Sequence, residues 1–348
     1  MRNARSKSTF RARSRQRVAS RAGGVKHSIV KTITASSGSS TYDHEVLAWV
    51  NRLANVGGTA TNDQIAAANT FIKTIKSVDG LRDKIKRLNL FCGSNFDSAL
   101  VPLIADAGSD QDSNYNFSNS EYSSNSGIKN SKASGYKYLD TSMSFSDAGL
   151  SFTDGHLAVH TSGNNTSSSY KEWIGRDHAA IGSNKENRKF QFRWGDHLIY
   201  ADNRNPQEGT CMGFYLGNCS SSKISLSLNN NTVSTKDISS NSPGNADLNQ
   251  DFRIFKRNTV YTSPNDFDQT INFYSIGLSL TDEQAKGVYD AVAVFNHALN
   301  RGHYDTEDSE VWKWANHRIA EAVGDLSTHF TALAVQNADA WMAKIKNY

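Results

Sequence analysis

Between about residue 106 and residue 280 the chain repeats one unit: a short run rich in β-branched and aromatic residues, then a cluster of Ser, Asn, Gly and Asp. The runs read "YKYLDTSMSF", "GHLAVHTS", "SYKEWIGR", "RKFQFRWG", "HLIYADN", "CMGFYLGN", "KISLSLNN", "DFRIFKRN" and "TINFYSIG". Alternating side chains suit a sheet with one buried face, and the even spacing of turn residues suits strands joined by hairpins and short crossings. The expected architecture is mainly β, an antiparallel sandwich or jelly roll over residues 106–302. The stretch "AGSDQDSNYNFSNSEYSSNSGIKNSKASG" is so dense in turn formers that it reads as loop.

Helical signals flank the β region. "DHEVLAWVNRLANVGG" places Val46, Leu47, Val50 and Leu53 on one helical face and stops at Gly57 and Gly58. "TNDQIAAANTFIKTIKSVDG" opens with a capping box, Thr61 and Gln64, and "LRDKIKRLNLF" reads as a third short helix. Residues 43–105 are thus expected to form a small N-terminal helical unit. On the far side, "LSLTDEQAKGVYDAVAVFNHALNR" carries a second capping box, Thr281 and Gln284, and an apolar face of Ala285, Val288, Tyr289, Val292 and Phe295 that should close the sandwich. Over residues 303–348 apolar residues fall at 311, 315, 319, 322, 326, 330 and 333, the stripe of a long helix or helical pair. Packing within the chain is the first expectation for this C-terminal extension, docking onto a neighbour the second.

Charge divides the chain again. The formal net charge is +4, yet ten Lys or Arg precede the first acid, Asp43, leaving 28 basic against 34 acidic residues in the remainder, a net of −6. Residues 1–42, with Arg2, Arg5, Lys7, Arg11, Arg13, Arg15, Arg17 and Arg21, are expected to be a disordered basic arm and linker, because like charges repel and bury nothing. Its natural partners are phosphates of a nucleic acid or an acidic protein surface. The arm lacks the apolar region of a secretory signal, although its Arg and Ser content also suits a transit peptide. No run approaches the 18 or more apolar residues of a membrane helix, so a soluble body is expected, with no membrane partner.

Candidate chemistry is sparse. Cys92, Cys211 and Cys219 are an odd count without CxxC spacing, which argues for free thiols rather than a disulfide framework or zinc site. No Glu is followed by Asp two residues on, so the paired-carboxylate strand pattern of sandwich glycosidases is absent, and no P-loop, GxSxG or HExxH occurs. Arg176, His178, His197 and Tyr200 form only a loose lyase-like grouping. The pairs Asp177–His178 and Asp196–His197 would point to opposite faces of a strand and are expected to be exposed strand-end residues, with a metal or ligand rim as the sharper alternative. No catalytic residue and no metal site is assigned. Tyr170, Trp173, Trp194 and Tyr200 are the candidates for a glycan-binding aromatic platform, weighed against simple sheet packing.

The segments "GLRDKIKRLNLFCGSNFDSALVPLI", "GIKNSKASGYKYLDTSMSF", "HLAVHTS" with "EWIGR", and "RIFKRNTVYTSPNDFDQTINFYSIGLSLTDEQAKGVYDAVAVFNHAL" resemble the concanavalin A-like (laminin G-like) jelly-roll proteins of tailed bacteriophages. The resemblance spans about residues 43–301. It implies a virion structural component on capsid or tail, not an enzyme, in many copies or as a homo-oligomer among other virion proteins, whose sandwich packs against neighbours or displays a glycan-binding face. It also admits calcium in a sandwich loop, for which Asp106, Asp110 and Asp112 supply oxygens, though no cofactor is required. Two other readings stand behind it: the coat protein of a small icosahedral virus with a genome-binding arm, and a lectin or polysaccharide lyase used in host recognition.

Overall fold

The chain reaches its β region through two capped helices, and the Thr61–Gln64 capping box forms as the sequence predicts. In this computed structural model, which describes residues 42–130, 137–162, 171–184, 189–202, 212–238, 248–258 and 269–301, α1 (His44–Asn55) starts where the Asp43 carboxylate accepts the Glu45 N–H at 3.0 Å. α2 (Asn62–Ser77) starts at a reciprocal capping box: Thr61 Oγ1 accepts the Gln64 N–H at 3.2 Å, and Gln64 Oε1 accepts the Thr61 N–H at 2.9 Å. The third predicted helix is corrected. Only α3 (Leu81–Lys84) is helical, and "IKRLN" is strand β1 (Ile85–Asn89). Two buried polar residues, Arg87 and Asn89, hide its alternation, so β1 and the β2 that follows lie in the sandwich although the sequence reads there as helix.

The chain continues through the one-turn α4 (Phe96–Ala99), then β2 (Ile104–Ala105), β3 (Ser113–Tyr115), β4 (Tyr122–Ser123), β5 (Gly127–Asn130) and β6 (Tyr138–Asp140), and the one-turn α5 (Phe145–Ala148). Four long antiparallel strands follow the central β7 (Gly155–Ser162): β8 (Lys171–Arg176), β9 (Ala179–Asn184), β10 (Lys189–Trp194) and β11 (His197–Asp202). After them come β12 (Gly213–Cys219), β13 (Lys223–Leu228), β14 (Asn231–Asp237), β15 (Arg253–Ile254), β16 (Arg257–Asn258), β17 (Gln269–Gly277) and the closing helix α6 (Asp282–Ala298). The arm, the C-terminal extension, Tyr170 and Cys211 lie outside the described residues.

Among the described residues the strands make two sheets. The first runs β14, β13, β12, β7, β17, β1, β2, with β5 also on β17 and β4 on β5; the second runs β11, β10, β9, β8, β15, β6, β3. Every pairing is antiparallel except that of β16 with β8. This is the expected mainly β, jelly-roll or lectin-like sandwich.

Between the sheets lies an aromatic core. Trp173 packs on Tyr215 at 4.4 Å between ring centres, Phe190 on Tyr215 at 4.7 Å, and Phe145 on Trp194 at 5.1 Å. Rings this large need facing glycines: a Cβ on Gly155 would sit 2.1 Å from Trp194, and one on Gly217 would sit 2.1 Å from Phe192. A second apolar cluster joins α1, α2 and α6 to the other face of the first sheet, with Phe71 against Phe273 and Phe295 and Phe214 against Tyr289. The first sheet is therefore covered on both sides, and all nine residues of β17 are buried. That double burial takes in four polar residues of β17 as well, Gln269, Thr270, Asn272 and Ser275.

One charged cluster sits inside the core. Arg87 donates to Asp112 Oδ1 from Nη2 at 2.7 Å and from Nε at 3.1 Å, and from Nη1 to the carbonyls of Ser109 at 2.7 Å and Ala107 at 3.0 Å. Tyr274 Oη donates to Asp112 at 2.8 Å, and Asn89 Nδ2 donates to its other oxygen at 3.1 Å. Burial alone would lower the Arg87 pKa, but Tyr274 and Asp112 outweigh it and hold the guanidinium more firmly protonated than usual. Asp112→Ala would strand a buried cation, so a loss of about 3–5 kcal/mol is expected in urea denaturation.

His156 and His160 on β7 are buried as well. His156 Nδ1 lies 2.6 Å from the Leu278 carbonyl and its Nε2 2.9 Å from Ser275 Oγ, and His160 Nδ1 lies 2.8 Å from Asn272 Oδ1. Burial pushes both imidazoles down to about 4, against partial support from those bonds. The unfolded chain therefore binds protons first on acidification. Stability should be complete above pH ~6.5 and fall towards pH 4, on the order of 3 kcal/mol per histidine. Urea midpoints measured across that window should show the slope, and His160→Gln should reduce it.

Candidate functional site

The second sheet has one face towards the core and one away from it, and register decides which side chains occupy each. Leu139, Ile174, Phe192 and Ile199 point inward. Tyr138, Asp140, Gln191, Arg193 and Tyr200 alternate with inward neighbours and lie on the outer face. The outer face gathers a polar and aromatic cluster at the β3 and β6 edge. Tyr115 and Tyr138 are directly paired across the strands and stack with ring centres 4.2 Å apart and planes inclined by 13°. The Arg253 guanidinium lies 4.4 Å from the Tyr138 ring centre and Lys256 Nζ 5.4 Å from it. Arg253 Nε also donates to Asp140 Oδ2 at 3.2 Å.

The charged groups at this edge of the face act on one another. Burial is the main force lowering the Lys256 pKa, nearby Arg253 adds to it, and Glu172 opposes both. Burial likewise raises the Tyr138 hydroxyl, with Tyr115 and Asp140 acting in the same direction and Arg253 against. Asp251 is raised by burial and by Asp140 and Asp147, and it shares a hydrogen bond with Asp140. Two hydrogen-bonded carboxyls are closer than the ~5–5.5 Å that a retaining glycosidase needs, and Asp140 is already engaged by Arg253. The arrangement suits contact with a ligand better than displacement at a sugar carbon.

The predicted platform divides. Tyr200 stands on the outer face, 49% exposed, with Lys189 Nζ 5.8 Å from its ring centre. Trp173 and Trp194 are corrected: both are fully buried between the sheets, Trp173 donating to Gln269 Oε1 at 2.5 Å and Trp194 to the Ser151 carbonyl at 3.1 Å. The sandwich interior needs their volume, so no ring face remains for a sugar. Tyr170 lies outside the described residues. Tyr115, Tyr138, Arg253 and Lys256 escaped the sequence reading; the alternation of Tyr138 with Leu139 in "YKYLD" was the available signal, and Tyr115 was hidden in a stretch of turn residues.

The other sequence candidates separate. Asp106 pairs with Arg82 at 2.8 Å and Asp112 with Arg87, so these two carboxylates do not join in the calcium loop that the family resemblance admits. Among the described residues no group of three or more His, Cys, Asp and Glu could hold a metal ion. His178 occupies the turn between β8 and β9 with φ +61°, its ring 3.7 Å from Asp177 and 3.8 Å from Asp196 in the neighbouring turn. Asp177, His178 and Asp196 thus meet at the turns, while His197 opens β11. Arg176 lies inward over Phe145 at 4.7 Å while Tyr200 points outward, so the lyase-like grouping does not converge. Cys92 and Cys219 are free and buried, and burial pushes the Cys92 thiol up to about 11.

No protein-family model matches this sequence, and no curated protein matches it. Among solved structures, the botulinum neurotoxin serotype D binding domain is similar at 10% identity over 47% of this chain and 42% of its own, with a TM-score of 0.35. A mutant Trypanosoma rangeli sialidase displaying trans-sialidase activity is similar at 10% identity over 68% of this chain and 42% of its own, with a TM-score of 0.42. The chain spans about two fifths of each of these structures. The β-sandwich assignment rests on the two sheets of this chain.

Core and surface aromatics should respond differently to truncation. Trp173→Ala and Trp194→Ala are expected to cost about 3–5 kcal/mol. Tyr115→Ala and Tyr200→Ala should cost ~1 kcal/mol or less, because each ring already meets solvent. Chemical denaturation followed by circular dichroism separates the two classes.

Proposed function

We propose that this chain is a non-enzymatic structural protein of a tailed-phage virion, fixed by its basic arm and presenting the outer face of its second sheet to glycan. The observation that carries the reading is the one-sided construction of the sandwich. Among the described residues, the helical cluster joins α1, α2 and α6 to the first sheet alone, while the second sheet directs Tyr115, Tyr138, Arg253 and Tyr200 away from the core. A body built this way can be held from one side and make contact from the other.

Sequence supports the anchoring half. The segments over residues 43–301 resemble phage jelly-roll proteins, and a basic stretch precedes a remainder of opposite net charge. Between copies, or between this chain and acidic neighbours, such an arm supplies attraction that salt screens. Binding to packaged nucleic acid is the competing role for the arm, and it carries a steeper salt dependence.

The test is mass spectrometry of purified particles, with and without residues 1–31. The chain should be present in intact particles at fixed copy number and be lost when the arm is removed, with genome content unchanged. Absence from particles would overturn the virion role. Loss of genome together with the arm would move the coat-protein reading to the front.

A further inference from the structure

The face that β7 turns towards the helices presents His156, Ala158 and His160 in succession, because Leu157 and Val159 between them belong to the inter-sheet core. Ala158 joins Phe214, Leu216 and Phe273 in the apolar bed on which α1, α2 and α6 lie, and on β7 an imidazole stands to either side of it. Among the described residues His156 and His160 are the two buried histidines. Both ends of α6 are seated beside them. His156 Nδ1 meets the carbonyl of Leu278, in the segment leading from β17 into α6. Asn218, the cross-strand neighbour of His156, holds that segment at Leu280 through its N–H at 2.8 Å and its carbonyl at 2.9 Å. Past the other end of α6, Arg301 donates to the carbonyls of Leu90, Phe91 and Ser124, and its charge reaches His160. The remaining helices follow α6: Gln284 Nε2 donates to the Asp79 carbonyl behind α2 at 2.9 Å, and Asn69 Oδ1 on α2 accepts the Asp43 N–H before α1 at 2.7 Å.

We propose that acidification from about pH 6 to about pH 5 lets the helical layer of α1, α2 and α6 part from the first sheet while the two-sheet sandwich stays folded. The device works whatever the sandwich binds. Both histidine sites are built for neutral rings. A carbonyl oxygen only accepts, so Nδ1 of His156 carries a proton and its Nε2 accepts from the Ser275 hydroxyl at 2.9 Å. In the same way Nδ1 of His160 donates to Asn272 Oδ1 at 2.8 Å. A second proton on His156 turns Nε2 into a donor facing a hydroxyl that was donating to it, and on His160 it adds a cation where Arg301 is already held. Few other charges act there: Lys84 opposes a proton on His156 and Asp154 favours it, and among the described residues no carboxylate acts on His160. β17 sets Ser275 and Asn272 against the rings and β12 sets Asn218 and Phe214 beside them, none of which titrates. The buried polar residues of the helices, Gln64 and Asn69 on α2 and Gln284 and Asn296 on α6, do not titrate either.

Burial holds both rings to about 4 against 6.5 in an open chain, so closure is complete above pH 6.5 and weakens as the pH falls. At about pH 5 each ring favours the open layer about thirtyfold, the two together about a thousandfold. The other fastenings stay in place at that pH. Burial would raise the Asp43 carboxyl, but its hydrogen bond from Lys76 outweighs this and keeps it below the usual carboxylate range, so the clasp between α1 and α2 is still charged. The inter-sheet core contains no histidine, and its Arg87 is held protonated throughout. Acid therefore acts first on the contact between the helices and the first sheet.

The experiment is hydrogen exchange of the full chain between about pH 7.5 and about pH 4.5, read peptide by peptide by mass spectrometry and corrected for the intrinsic rate. Protection of α1, α2 and α6 should fall about fiftyfold between about pH 6 and about pH 5, and at the lower pH lie at least about tenfold below that of β8, β9 and β10. In His156→Gln or in His160→Gln the same fall should shrink to about sevenfold, the share of the ring that remains. Helix amides that keep their protection at pH 5, or that exchange in step with the strands at every pH, would overturn the proposal. A fall that both variants leave at fiftyfold would overturn it as well, since other groups would then drive the opening. If the variants do not fold, the wild-type chain decides: a fall near fiftyfold counts two protons taken up on opening, and a fall of about sevenfold or less is too small for two rings.

Discussion

The ion pair of Arg87 and Asp112 is the constraint around which the rest is arranged. Both side chains are fully buried, and removing two charges from water is tolerated only where every hydrogen-bonding position finds a partner. The partners come from separated parts of the chain: Tyr274 from the central strand β17, Asn89 from β1, and carbonyls from residues 107 and 109. One cluster therefore joins β17 and β1 of the first sheet to the loop leading to the second. Asp112 immediately precedes β3, so fixing its carboxylate also fixes where Tyr115 emerges at the far edge of the second sheet. The position of Tyr115 on the surface is set by a charge in the core.

The same cluster explains what the sequence conceals. Strands rich in β-branched and aromatic residues were legible: β7, β10, β12, β13 and β17 all fall in the runs read from the sequence. β1 was read as helix because Arg87 and Asn89 occupy inward positions that an alternation test assigns to apolar residues. β14 failed for the opposite reason, since six of its seven residues are exposed and no face is distinguished. β9, "AAIGSN", carries small residues whose burial depends on the packing of its neighbours. The helices were easiest, because Thr61 with Gln64 and Thr281 with Gln284 announce their own starts through local hydrogen bonds.

Site residues were less legible than strands for a related reason. An aromatic in a strand is informative only once the facing layer is known. Trp173 and Trp194 belong to the same sheet as Tyr200, yet a register shift at 172–174 and the space left by Gly155 draw the two indoles inward. Tyr200 is left outside by simple alternation with Ile199 and Ala201. Arg253 and Lys256 reach Tyr138 from more than 100 positions along the chain, a distance no local pattern can bridge.

Rigidity gives this division a functional meaning. A binding face loses affinity when side chains must be ordered at the moment of contact, by roughly 0.5–1.5 kcal/mol for each flexible one. Here Tyr138 is held on one side by Tyr115 and approached by Arg253 and Lys256, while Arg253 is restrained by Asp140. Behind them the first sheet is stiffened on both faces, by the inter-sheet core and by the helices. The cost of ordering these side chains is met during folding. Among the described residues, three helices pack on the first sheet and none of them on the second, so the outer face of the second sheet is left to polar and aromatic side chains whose positions are set by the layer behind them.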